Sequence, residues 1–420
     1  MAELEATTAR KGNRKVSMTI SGQVNRALAF WDDGKRSDFY SVDSGVSRSA
    51  FQFDGSARIN ADVTAGYQFV WVLGLGARGH HVNQFDDDGN QSAYGSTTAG
   101  TAILADGDAT PAIEIANWYL DSKSYGKLTV GRINTAQSGT TQTDLGGILV
   151  VGGPQFGLWN NGYLLVSNKG TGSGYGTSTW NTLFGGNAIS VAGTSRADGA
   201  RYDTPTFAGF SASVAWAEDD FWDAAVRYAG EFSGFRIAAT ASYSQNKDAE
   251  PDATAPAATL APDQRKWQGS ASIMHVPSGL FLNGAYLQLS YHGLAATDTV
   301  SGAAFGTNRP DTKFWYVAGG IAQNWTGLGK TVLYGEYGHI DDGATGLAAT
   351  AAGYNIAAAS VVSDSEVTFW GLGVVQNIDA AAMELYAAYR NYSGDVSVAS
   401  GAAVQVEDFQ MVMTGARIKF

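Results

Sequence analysis

The stretch FQFDGSARINADV, Phe51 to Val63, decides the class of fold. Every second residue is apolar or small: Phe51, Phe53, Gly55, Ala57, Ile59, Ala61 and Val63. Between them stand Gln52, Asp54, Ser56, Arg58, Asn60 and Asp62. Alternation with period two marks an extended strand whose two faces meet different surroundings. One face here is greasy and the other carries full charges, which leaves open what lies on each side.

The same alternation recurs along the chain. In KVSMTISGQVNRALAFW (15–31), Val16, Met18, Ile20, Val24, Leu28 and Phe30 share one face, and Ser17, Thr19, Ser21, Gln23 and Asn25 the other. Arg26 falls on the greasy face, as an exception. WDAAVRY sets Trp222, Ala224, Val226 and Tyr228 against Asp223 and Arg227. AMELYAAYR sets Met383, Leu385, Ala387 and Tyr389 against Glu384, Tyr386 and Arg390. Roughly sixteen such segments are predicted, from 15–31, 49–63 and 65–78 to 365–376, 381–390 and 408–420, with lengths that suit membrane-crossing strands. At 112–121 and 313–323 the faces do not separate. No long stripe with the helical period is present.

Connections alternate in length. Short ones such as DVTA, SKSYG, EFSG, VPSG and QNIDA are tight turns, and between them lie long polar segments at 32–48, 79–111, 134–195, 244–265, 290–312, 339–364 and 391–407. Only 218–221 breaks the rule. Short turns at one end and long loops at the other describe an antiparallel meander with two unlike rims.

Composition narrows the function. The absence of cysteine excludes a disulfide framework and any thiolate metal site. A formal net charge of -12 argues against nucleic acid as a partner. Nowhere do enough apolar residues run together for a transmembrane helix. The start, MAELEATTARKGNRKVSM, lacks an apolar signal core, so the chain reads either as a protein kept inside the cell or as a mature form with an added Met1.

Alternation alone fits both a soluble barrel or sandwich, greasy side inward, and a membrane barrel, greasy side outward. Aromatic residues favour the second. Phe30, Trp31, Trp216, Trp222, Trp267, Trp315 and Trp370 gather at the long-loop rim, and Tyr67, Tyr125, Phe207, Phe210, Phe232, Trp325 and Phe420 at the short-turn rim. Two such belts match the two interfaces of a bilayer. Sixteen strands also enclose more space than side chains fill, and the opposite face is small, polar or charged, as a wet lumen requires. On this reading Asp54, Arg58 and Asp62 line water inside a channel.

With VSMTISGQVNRALAFWDDG (16–34), YGKLTVGR (125–132), ARYDTPTFAGFSASVAW (200–216), GLGVVQNIDAAAMELYAAYR (371–390) and the terminal ARIKF, the chain resembles Gram-negative general porins, most of all those of alphaproteobacteria such as rhizobia. The resemblance spans essentially all of 1–420 and implies an all-β fold of one domain: a sixteen-stranded antiparallel transmembrane β-barrel in the outer membrane. It implies a homotrimer that passes small hydrophilic solutes, among lipopolysaccharide partners, and a terminal Phe420 read by the barrel assembly machinery. It also implies that the loop at about 134–195 folds inward as a constriction. There the loop acid Asp144 would face wall arginines, with Arg58, Arg78, Arg196, Arg201 and Arg227 as candidates. Trimer contacts of the family involve the first strand, so Arg26 is either paired at a subunit interface or snorkels from a rim.

Other chemistry is weaker. GLGARG (74–79) matches a dinucleotide pattern but lacks the following helix. DDDGN (86–90) offers Asp86, Asp88 and Asn90 as a calcium site on an outer loop, without an EF-hand frame. His80 and His81 point opposite ways in a strand, and His339–Asp341–Asp342 is the one cluster a barrel enzyme would use. No nucleophile elbow is present. The expected function is a passive channel without metal or cofactor, weakly favouring cations through its overall acidity. The alternatives are a substrate-specific porin, a barrel-type outer-membrane enzyme, and a soluble β-sandwich array.

Overall fold

A computed structural model describes residues 16–72, 82–85, 112–167, 174–186, 195–218, 220–247, 263–292, 299–300, 303–304, 309–349, 351–356, 360–401 and 403–420. Sixteen strands form one closed ring. They are β1 (Ser17–Asp32), β2 (Ala50–Arg58), β3 (Val63–Val72), β4 (Ala112–Ser122), β5 (Gly126–Asn134), β6 (Arg196–Asp203), β7 (Phe210–Ala217) and β8 (Phe221–Phe232). Then follow β9 (Phe235–Asn246), β10 (Asp263–His275), β11 (Leu280–His292), β12 (Thr312–Gln323), β13 (Thr331–Asp341), β14 (Ser360–Ile378), β15 (Met383–Val398) and β16 (Phe409–Lys419). Each strand pairs antiparallel with its neighbours in chain order, and β16 returns to β1 from Gln23↔Lys419 to Asp32↔Gln410. Closure leaves no unpaired edge, the condition for crossing lipid with strands.

The two faces have opposite chemistry to a soluble core. Ile20, Leu28, Trp71, Trp118, Val226, Leu282, Leu333 and Leu372 stand exposed on the outside. Asn25, Asp223, Ser242, Gln268, Glu336 and Arg390 are buried on the inside. Phe207 at 83%, Phe232 at 79% and Tyr125 at 78% exposure ring the short-turn rim, which suits a bilayer interface and not bulk water. No helix among the described residues is long and apolar enough to cross a membrane. Trp31, expected in the opposite belt, points inward instead and is buried with its ring 5.4 Å from that of Tyr163.

Four departures from the sequence pattern have local causes. β2 stops at Arg58 rather than running to Val63, because the Asn60 side chain accepts the N–H groups of Asp62 and Val63 and closes a turn. The faces of β4 mix because its register with β3 shifts between Val70 and Trp71, leaving Glu114 in a bulge. β12 is apolar on both faces because Phe314 and Tyr316 meet a packed interior while Trp315 and Val317 face outward. β14 and β15 rise past their expected ends, and Val362, Val396 and Val398 pack there with Val404 and Val406.

Candidate functional site: the lumen and its inward segment

The chain between β5 and β6 lies on the inner wall, and three tethers hold it there. At its root Asp223 of β8 accepts the N–H groups of Ala136 (2.9 Å) and Gln137 (2.8 Å). Arg227, four residues on and therefore on the same inward face, donates to the carbonyls of Ala136 and Ser138. Arg201 of β6 grips Asp203 and donates to the carbonyls of Asn134 and Thr135.

The middle tether is neutral. Thr140 and Thr143 hydrogen-bond with Thr240, Ser242 and Ser270, all inward residues of β9 and β10. Asp144 follows. Its carboxylate accepts the N–H groups of Gly146, Gly147, Ile148 and Leu149, and Asn283 of β11 donates to it at 2.9 Å.

The third tether is ionic and buried. Arg390 of β15 meets Glu336 of β13 through Nε (2.6 Å) and Nη2 (2.9 Å), with side-chain exposures of 0% and 1%. The pair clasps Gly153 from both sides: its N–H donates to Glu336 at 3.0 Å, and its carbonyl accepts from Arg390 at 2.8 Å. Tyr316 also donates to Glu336 at 2.8 Å, and the guanidinium lies 4.8 Å from the Trp159 ring. Each ion thus keeps several hydrogen bonds, which a buried pair needs to offset its desolvation.

Around this clasp Phe156, Trp159, Trp180 and Phe184 of the segment pack on Phe314, Phe369, Tyr392 and Phe409. The cluster spans the inner faces of β10 through β16 and β1. The facing wall, β2 through β6, is polar. It borders a cavity of about 290 Å³ lined by Asp54, Gln68, Asn117, Tyr119, Lys127, Thr129, Arg201 and Asp203 among others. The interior is therefore packed on one side and hydrated and charged on the other.

A closed, apolar-skinned barrel with such a lumen points to one class of protein. A family model described as Gram-negative porin matches residues 1–397. The chain belongs to the Gram-negative porin family. Among solved structures, this porin is similar to the anion-selective porin of Comamonas acidovorans, at 15% identity and a TM-score of 0.54, over 96% of this chain and 100% of the other. It is also similar to OmpT, an outer membrane protein of Vibrio cholerae, as a loop L8 deletion mutant, at 13% identity and a TM-score of 0.54, over 97% and 100%. The outer membrane channel DcaP of Acinetobacter baumannii matches at 11% identity and a TM-score of 0.53, over 97% and 99%. These likenesses show the fold. A search of curated protein sequences returns no match. This porin is thus a multi-pass outer-membrane β-barrel channel.

The residues expected at a constriction separate into groups. Arg201 and Arg227 come together at the root of the inward segment. Arg196 begins β6 and pairs instead with Glu114 (3.5 Å), which Arg48 also holds. Arg58 ends β2 at the short-turn rim, where its Nε donates to the Asn60 carbonyl. Asp62 leaves the wall for the turn, a correction to its expected place in the lumen. There hydrogen bonds from Ser122 and Ser124 hold its carboxyl below the ordinary carboxylate range. Asp144 caps its own loop rather than extending toward a guanidinium. Asp54 borders the cavity on the polar wall. Arg78, Asp86, Asp88, Asn90, His80 and His81 lie outside the described residues.

His339 faces outward beside Trp315, with Nε2 2.8 Å from Asp341 and Nδ1 3.5 Å from Glu366. Among the described residues no cluster of histidines and acids has the makings of a metal site. Sequence reasoning missed Lys127, Asp203 and Glu336. The alternation already placed each on an inward face, but nothing in the sequence distinguishes a tethering or cavity-lining residue from any other wetted one.

Proposed function

We propose that this porin passes small hydrophilic solutes and ions by passive diffusion, without a catalytic step. The path follows the polar side of the lumen and is narrowed by the inward segment. The observation that carries this reading is the three-point tether, which fixes the segment to one side and leaves the charged wall of β2 to β6 facing it. Single channels in planar bilayers should be ohmic, and liposome swelling should slow as solute size grows; a silent bilayer overturns the reading. A salt gradient should give a small cation-favouring reversal potential, because acids outnumber bases in the chain. An anion-favouring value removes that part.

The working form we propose is a homotrimer among lipopolysaccharide, inserted by the barrel assembly machinery, of the rhizobial type named by its sequence segments. OmpT of Vibrio cholerae, similar at 14% identity and a TM-score of 0.53, is described in a trimer form. Arg26 supports the trimer. It stands exposed on the lipid-side face of β1 and, among the described residues, donates only to Ser41, through its carbonyl and hydroxyl. A charge facing mid-membrane lipid costs about 2–4 kcal/mol, whereas a subunit interface pairs it. The variant Arg26→Met should therefore lower the trimer melting temperature on semi-native gels. Unchanged or raised melting would place Arg26 in lipid.

A further inference from the structure

The cavity on the polar wall contains two charges that answer each other across a gap. On β5, the Lys127 ammonium lies 4.1 Å from the centroid of the Tyr119 ring. Its cross-strand partners are Asp121 of β4 and Asp203 of β6; the Asp203 carboxylate is taken by Arg201 at 2.6 and 3.0 Å, and Asp121 lies beyond ion-pair distance. Among the described residues no carboxylate lies within ion-pair distance of Lys127. On β2, Asp54 accepts hydrogen bonds from the amides of Gln52 (2.6 Å) and Gln68 (3.2 Å) and, among the described residues, has no cation within ion-pair distance. A free ammonium and a free carboxylate thus border the same cavity.

Between them lies a hydrogen-bonding floor. Gln68 of β3 and Asn117 of β4 are cross-strand partners, as are Tyr119 and Thr129. β2 and β5 are three strand spacings, about 14 Å, apart, and the register sets Lys127 level with Asp121, four residues or about 13 Å nearer the short-turn rim than Asn117 and Asp54, so the two backbones stand about 19–20 Å apart along the diagonal. The two side chains reach in from the ends by about 8–9 Å together and leave about 11 Å between the charges. A ligand carrying one charge leaves either Asp54 or Lys127 unanswered. A zwitterion answers both. An α-amino acid spans about 3.5 Å and a dipeptide about 7 Å. Adding a charge-assisted hydrogen bond of about 2.8 Å at each end brings the dipeptide to about 12.6 Å, and the amino acid falls short.

We propose that this cavity is a binding subsite for dipeptide-sized zwitterions, which place their ammonium at Asp54, their carboxylate at Lys127 and their peptide group over Gln68 and Asn117. The inference rests on the channel reading and makes the porin selective within it. It lies toward the short-turn rim, past the root of the inward segment for a solute arriving from the long-loop side, so it acts after size sieving.

The test uses single-channel recording of the full chain with alanyl-alanine added. The dipeptide should interrupt the current in a dose-dependent way. N-acetylation, which removes the ammonium, and C-terminal amidation, which removes the carboxylate, should each raise the blocking concentration at least tenfold, that is by about 1.4 kcal/mol or more. Lys127→Gln should lose discrimination between the dipeptide and its amide, and Asp54→Asn between the dipeptide and its acetylated form. Equal block by the acetylated compound overturns the zwitterion in favour of a simple anion site at Lys127. A normal open-channel current that ignores all three compounds overturns the subsite alone, whereas the absence of any current overturns the channel reading. Because the analogues act on the unaltered protein, a variant that fails to fold does not decide the matter.

Discussion

Replacing Glu336 with glutamine is expected to loosen the inward segment, raising single-channel conductance and lowering the temperature at which the barrel unfolds. The substitution leaves Arg390 fully buried without its counter-ion. Breaking a buried pair from one side costs about 3–5 kcal/mol. The least costly escape for the guanidinium is to admit water. Water there competes for the Gly153 carbonyl that Arg390 now holds, and Gly153 is the point where the segment meets β13 and β15. The packing of Phe156 and Trp159 beside it then weakens. The exposed pair Arg236–Glu231, with side chains 47% and 52% accessible, provides the contrast. Glu231→Gln should shift melting by well under about 1 kcal/mol, since water screens such a pair. Glu336→Leu combined with Arg390→Met removes both charges and should recover much of the thermal stability, while conductance stays altered because the Gly153 clasp is gone. The measurements are heat-modified mobility on gels and bilayer conductance. Parent-like values of both for Glu336→Gln would show that the clasp holds nothing.

Deleting Phe420 is expected to have the other large effect, on assembly. Phe420 exchanges two backbone hydrogen bonds with Gly22, at 2.9 and 3.0 Å, extending the ladder that closes β16 onto β1. Its ring lies over Gly22, where an added Cβ would sit 2.7 Å from the ring, and it also meets Phe51 at 5.7 Å. Two net hydrogen bonds and one aromatic contact amount to about 3 kcal/mol at the seam, roughly a hundredfold in the closure equilibrium. Refolding yield into detergent should fall accordingly, and Gly22→Leu should also lower it, by displacing the ring and by crowding the Ala50 carbonyl 2.6 Å from the added Cβ. If the deletion refolds normally in detergent but fails to reach the outer membrane in cells, Phe420 acts as a signal and not as a clamp. If both yields are normal, it does neither.

The alternation beginning at Phe51 carried the barrel, because in a membrane each strand answers to two solvents at once and its sequence must say so. The short turns were legible for the same reason: Gly234 and Gly279 adopt positive φ where a two-faced strand reverses. The failures cluster where a strand meets a third environment. β12 looked ambiguous because Phe314 faces packed aromatics, not water. The inner side was harder still. Asp144, Arg201 and Arg227 were visible as charges, but their partners are backbone groups of a segment whose path no periodicity records. The Glu336–Arg390 clasp joins residues 54 apart, which no local pattern reveals.

The lopsided interior has a consequence for how this channel can vary. Eight strands and the aromatic apex form a girder, where almost any substitution weakens the barrel before it changes what passes. Apart from the tethering Arg201, β2 to β6 form a keyboard, whose wetted side chains can be exchanged with little mechanical penalty. Variants that differ in cargo should therefore differ on that flank, and the girder should remain the same beneath them.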